Sequence, residues 1–179
     1  ILTCTFGASR LRLEAAGLAD RFTAVNTEAV RLAKAETAAG GALVAGSLGP
    51  LGQMLKPLGL LDETDAEAAY REQAEALAAA GVDLLVVETQ FDLSEALAAV
   101  RGAKTACSLP LIVSFSYDRG TRTMMGVSPA KFAQAMRGMG LAAVGINCGK
   151  SLEDNLAALK ELADASDLPI WFKPNAGLP

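Results

Sequence analysis

The sequence predicts a parallel α/β fold. Three observations carry this. Six short apolar runs recur along the chain, beginning near Ile1, Leu43, Leu84, Leu111, Ala143 and Pro169. Each run is continuous rather than alternating, as in strands buried on both faces of a parallel sheet. Helical patterns lie between the runs, and strand–helix repetition at this spacing builds parallel sheets.

The elements follow in order. Ile1–Phe6 (ILTCTF) reads as the first strand, and the Ala-, Val- and Leu-rich segment Thr23–Ala38 as a helix. The run LVAGS from Leu43 is the second strand, and the Gly/Pro-rich loop Gly46–Asp65 follows its end. Ala66–Ala80 is a helix with Tyr70, Gln73, Leu77 and Ala80 on one face and Glu67, Arg71 and Glu75 outward. Gly81 is placed to close it as a left-handed cap before LLVVET, the strand from Leu84. After LIVSFS, the strand from Leu111, Ser128-Pro129 reads as an N-cap and first-turn proline, with Gly140 ending that helix. AVGIN from Ala143 is the fifth strand. Ser151–Ala165 is then a helix with Leu152, Leu156, Leu159 and Ala163 as its stripe and Ser151 with Asp154 as a capping box. The last run is IWFKPN, ending at Asn175.

Two architectures fit these elements. A doubly wound sheet of about six strands suits the length. A (β/α)8 barrel needs eight strands and about 250 residues, so this chain falls two strands short. The pattern of residues leaves both open. No linker divides the chain, so residues 1–179 are one domain.

Composition narrows the function. Half the residues are apolar (51%) but only 5% are aromatic, so the core is built from Ala, Leu and Val. A net charge of −4 and a pI near 4.9 argue against a nucleic-acid or anionic-membrane surface. No apolar run approaches the roughly 20 residues of a membrane helix. There are no histidines, which excludes Ser-His triads, Cys-His dyads and His-ligated metals. Cys4, Cys107 and Cys148 are odd in number and form no CxxC pair. Reduced thiols in the cytoplasm fit that better than a disulfide framework. Ile1 stands where an initiator Met is expected, with no secretory signal, and points to a piece of a longer chain.

In parallel α/β folds the chemistry gathers at the C-terminal ends of the strands. The polar residues there are Thr5, Ser47, Glu88-Thr89, Ser114 to Tyr117, Asn147-Cys148 and Asn175. Glu88 directly follows LLVV, where a carboxylate is partly desolvated and needs a cation or hydrogen-bond donors. It reads either as an anchor for a substrate amine or as an acid paired with Thr89 or a lysine. Cys148 precedes a helix start and Lys150, a setting that favours a thiolate nucleophile or metal ligand. The bland alternative is a small buried hydrophobe. Cys107 lies at the opposite end of the sheet and reads as structural, and Cys4 as strand packing.

Taken as a set, these segments resemble the homocysteine S-methyltransferase family, and most closely its cobalamin-dependent homocysteine-binding modules. The resembling stretches are Thr3–Leu18, Val44–Gly52 with Pro57–Gly59, Ala80–Val100, Phe115–Pro129, GINCG (Gly145–Gly149) and PNAGLP (Pro174–Pro179). The resemblance implies a TIM barrel, present here as an incomplete barrel of about strands 2 to 7. It implies zinc held by three cysteine thiolates, of which Cys148 is the one present. The other two belong to a Cys-Cys pair expected beyond Pro179, so the chain as written is expected to be inactive alone. Glu88 matches the glutamate that contacts the homocysteine ammonium. Thr89, Thr5, Phe6, Ser47, Ser114, Asn147 and Asn175 would line the same substrate site. Methylcobalamin on a corrinoid-binding partner module is the implied methyl donor. Betaine or S-methylmethionine as donor, another thiol as substrate, or a non-catalytic binding barrel are the competing readings. One departure stands out: Cys4 replaces an Asn usual in the family.

Overall fold

The computed structural model describes residues 1–37 and 40–175. The described residues form five strands: β1 (Ala45–Leu48), β2 (Leu84–Gln90), β3 (Leu111–Phe115), β4 (Ala143–Cys148) and β5 (Ile170–Pro174). The helices are α1 (Arg10–Ala15), α2 (Phe22–Thr37), α3 (Glu63–Ala80), α4 (Leu93–Ala106), α5 (Pro129–Met136) and α6 (Leu152–Ala165). All strand pairs are parallel, and their order across the sheet is their order in the chain. A doubly wound sheet reverses direction at a switch point, and this sheet never does.

The two faces of the sheet differ. One is covered by the helices and holds the main core, with Leu85, Val87, Val113, Val144 and Ile146 packed against helix residues such as Tyr70, Leu77 and Phe132. The other carries a small separate cluster of Ala45, Val86, Ile112 and Ala143, with Leu2, Leu84 and Trp171 against it. Among the described residues no helix residue joins that second cluster. Strands in chain order with helices on one side form a segment of a (β/α) barrel, and the second cluster is its inner face. This settles the choice in favour of the incomplete barrel.

Local signals place most elements. Ser128 Oγ accepts from Lys131 N at 3.1 Å, with Pro129 in the first turn of α5. Ser151 Oγ accepts from Asp154 N at 3.1 Å and caps α6. Gly81 takes φ 94° and closes α3, a conformation costly for a residue with a Cβ. Asp92 caps α4 by accepting from Ser94 N and Glu95 N. Gly145 is a packing requirement inside β4, since a Cβ there would sit 2.2 Å from the Trp171 carbonyl oxygen.

Four expectations need correction. The first run is not a strand: only Leu2 pairs with Ala45. Beyond it, threonine hydroxyls replace the ladder groups, Thr3 as acceptor and Thr5 as donor. Ser47 N donates to Thr3 Oγ1 at 3.0 Å, and Thr5 Oγ1 donates to the Ser47 carbonyl at 2.7 Å. Cys4, turned away between these threonines, is exposed rather than packed. The stripe of α6 is Asn155, Ala158 and Leu162, while Leu152 and Leu156 are 56% and 49% exposed. Gly140 does not end α5, which stops at Met136; both Gly138 and Gly140 have positive φ in the turn that follows. The Thr23–Ala38 helix is α2, with Ala38 outside the described residues, as is the end of PNAGLP from Ala176. No helix among the described residues is long and apolar enough to cross a membrane.

Candidate active site

The period-two alternation of a strand decides what the inner face displays. Ala45, Val86, Ile112, Gly145 and Trp171 mark that face. Two residues further along each strand stand Ser47, Glu88, Ser114, Asn147 and Lys173. Every strand thus adds one polar residue to a layer directly above the apolar one, at the C-terminal end of the sheet. Asn147 and Lys173 are register partners on β4 and β5.

Glu88 is buried, and each of its oxygens accepts one hydrogen bond. Ser47 Oγ donates to its Oε1 at 2.6 Å, and Lys173 Nζ donates to its Oε2 at 2.7 Å. The Lys173 side chain is 43% exposed, and that of Glu88 only 8%. The sequence offered a lysine partner as the bland alternative for Glu88; the lysine comes from the far edge of the sheet, 85 residues away.

Asn147 organises the other half. Its Oδ1 accepts from Thr89 N at 2.9 Å and from the Ser114 hydroxyl. Its Nδ2 donates to Thr89 Oγ1 at 2.6 Å and to Cys148 Sγ at 3.2 Å. The nitrogen donor on the Cys148 sulfur is this carboxamide, and the Thr89 hydroxyl lies 3.9 Å from the same sulfur. Thr89 and Cys148 also share a backbone feature. Among the described residues they are the two non-glycine residues with positive φ, 60° and 58°. Such conformations cost on the order of 1–3 kcal/mol and collect at functional sites. The Cys148 end is locked from behind: its carbonyl accepts from Asn155 Nδ2 at 2.8 Å and Asn175 N at 3.1 Å. Asn175 Nδ2 donates to the Gly149 carbonyl at 3.2 Å.

The remaining expected residues fall outside the polar layer. Thr5 is buried, with its hydroxyl given to the Ser47 carbonyl, so it shapes β1 rather than facing a ligand. Phe6 is 37% exposed and lines a neighbouring apolar cleft with Arg12, Pro50, Met54 and Phe91. Below that cleft Glu95 pins the loop after β1, accepting from Leu51 N at 2.7 Å and Tyr70 Oη at 2.9 Å. Burial raises the Glu95 carboxyl above its ordinary value, and burial with the Glu95 charge raises the Tyr70 phenol. Lys173 and Thr3 were not among the sequence candidates. Counting by twos along IWFKPN finds Lys173; nothing in the sequence finds Thr3.

Zinc can be tested against these donors. Cys148 offers a soft, half-buried sulfur at a strand end, suited to one corner of a thiolate site. Cys107 is half-buried at the opposite end of the sheet. No group of three His, Cys, Asp or Glu side chains among the described residues could hold a metal. The described residues fit one ligand of such a site and not a whole one.

The homocysteine S-methyltransferase family model matches residues 1–179. The chain is 30% identical over 141 residues to methionine synthase of Mycobacterium leprae, covering 76% of this chain and 12% of that protein. It is 27% identical to methionine synthase of Mycobacterium tuberculosis, covering 99% of this chain and 16% of that protein. The metallated form of the Escherichia coli homocysteine methyltransferase MmuM superposes with a TM-score of 0.83 at 28% identity, over 98% of this chain and 66% of that one. The chain thus spans a small part of the two methionine synthases and just under two thirds of MmuM. With the barrel segment and the match along its whole length, the chain belongs to the homocysteine S-methyltransferase family.

Proposed function

We propose that this chain binds homocysteine and presents its sulfur for methylation to methionine. One observation carries the reading. A buried carboxylate in the polar layer and a thiol beside that layer stand together at the strand ends, joined through Thr89 and Asn147. Glu88 would hold the substrate ammonium, since a carboxylate accepts more hydrogen bonds than the two it now receives. Ser47 and Lys173 fix its orientation. Cys148 would be one zinc ligand, its sulfur oriented by Asn147 Nδ2, with further thiolates supplied from outside the described residues. Zinc held there keeps a bound thiol ionised yet nucleophilic at neutral pH. The methionine synthases named above support placing the methyl donor, methylcobalamin, on a corrinoid module of a longer parent protein. Three free thiols support a reducing, cytoplasmic setting.

The test is calorimetric titration of homocysteine into the metal-loaded parent protein. Glu88→Ala should weaken binding about 10- to 100-fold, the loss of a charge-assisted contact, with metal content unchanged. Loss of metal with unchanged affinity for homocysteine in the remaining loaded fraction would make Glu88 a ligand and defeat the reading.

A further inference from the structure

We infer that Asn155 is a positioning residue for the Cys148 thiol: its carboxamide holds the left-handed backbone turn that swings this thiol from the helix side of the sheet to the site. The inference rests on the reading of Cys148 as a site thiol and metal ligand. Alternation along β4 sets the starting point. Val144 and Ile146 pack in the main core against the helices, whereas Gly145 and Asn147 stand on the inner face beside Trp171 and Lys173. Continued by one residue, the alternation sends Cys148 after Val144 and Ile146 into the helix layer. Its sulfur instead accepts from Asn147 Nδ2 at 3.2 Å and lies 3.9 Å from Thr89 Oγ1, on the side of the site. The break in alternation coincides with φ 58° at Cys148, a conformation that a cysteine keeps only when its surroundings hold it.

Asn155 supplies the hold. It lies one turn into α6, whose start is fixed by the Ser151 cap, and it is 1% exposed. Its Nδ2 donates to the Cys148 carbonyl at 2.8 Å, and Asn175 N donates to the same oxygen at 3.1 Å. Gly149, with φ 75°, lets the carboxamide come this close, since a Cβ there would sit 2.2 Å from Asn155 Oδ1. That Oδ1 has no hydrogen-bond partner among the described residues. A buried amide that leaves its own oxygen unsatisfied adds little to stability, so the use of this carboxamide is the bond it donates to Cys148. Groups that hold a metal ligand from behind set that ligand's orientation.

The test uses the parent protein and reads zinc affinity by competition with a chelator. Asn155→Ala should weaken zinc about 10- to 100-fold, the usual effect of removing a group that orients a metal ligand. Asn155→Asp keeps the volume but as a carboxylate cannot donate, and should weaken zinc likewise. Leu162→Ala opens a cavity further along the same helix and should leave zinc affinity at the wild-type value. A second readout needs no metal. In the zinc-free parent protein, iodoacetamide should alkylate Cys148 several-fold more slowly in Asn155→Ala than in wild type, because the released thiol turns toward the helices. Faster alkylation would show a loosened loop instead of a turned thiol and would overturn the inference. Unchanged zinc affinity in Asn155→Ala, or equal weakening in Leu162→Ala, would leave Asn155 a structural role only and overturn it too. The reading of Cys148 fails separately, by tight zinc retained in Cys148→Ser.

Discussion

At the scale of single residues, Asn147 joins the two halves of the site. Removing its carboxamide leaves the half-buried Thr89 N and the buried Ser114 hydroxyl without this partner. Each orphaned group costs about 1–3 kcal/mol, so Asn147→Ala should lower stability by on the order of 3 kcal/mol in urea unfolding. A loss below half a kilocalorie would mean that water replaces the amide. Cys148→Ser asks about the metal instead. In the parent protein it should abolish stoichiometric zinc by elemental analysis, because a serine oxygen is a poor replacement for thiolate. Retained tight zinc would remove Cys148 from the ligand set. Glu88, Asn147, Ser114, Ser47 and Cys148 were legible because each directly ends an apolar run, where a buried polar group needs a reason. Lys173 carries no such signal because it lies inside a run that reads on to Asn175. The positive φ at Thr89 and Cys148 had no signal at all, since neither residue type advertises that conformation.

At the scale of elements, caps and turns were readable because their chemistry is local. The Ser151 and Ser128 caps and the Gly81 closure all follow from a few adjacent residues. The α6 stripe was not readable in the same way. Its leucines fall at two helical spacings, and only the tertiary partner decides which face turns inward. The first run failed as a strand for a related reason, because the Thr3 and Thr5 side chains satisfy Ser47 of β1 in place of backbone. Two predictions belong here. Gly145→Ala forces a Cβ against the Trp171 carbonyl between β4 and β5. It should cost about 3 kcal/mol, read in the same unfolding assay. The second concerns Glu95, whose carboxyl is raised by burial. Between its ordinary and raised values, the folded chain holds a proton that the unfolded chain has lost. Its contribution to stability is therefore greatest below the ordinary value and falls as pH rises through that window. Glu95→Gln should remove this slope, so the variant gains on wild type as pH rises above the ordinary carboxylate range. A parallel pair of pH profiles would show that Glu95 titrates normally.

At the scale of the molecule, the strand order was the part that local patterns could not supply. A doubly wound sheet and a barrel use the same runs and the same helical spacings. What separates them is whether helices cover one face or two, a property of long-range packing. Here one face is left to Ala45, Val86, Ile112, Ala143 and Trp171. At one side of the sheet Leu2 alone pairs beyond β1, and at the other the outer edge of β5 has no partner strand among the described residues. Residues 1–179 expressed alone therefore carry an unpaired edge beside an apolar inner face, the combination that favours edge-to-edge association. The net charge of −4 opposes this only weakly at physiological salt. Sedimentation velocity should show concentration-dependent self-association of this chain. Trp171 is its sole tryptophan and lies on the inner face, so it reports the same event directly. Dilution should move its emission to the red as the face is uncovered, and a charged substitution at Leu2 or Leu84 should suppress the association. A monodisperse monomer with emission that stays blue on dilution would mean the inner face closes on itself.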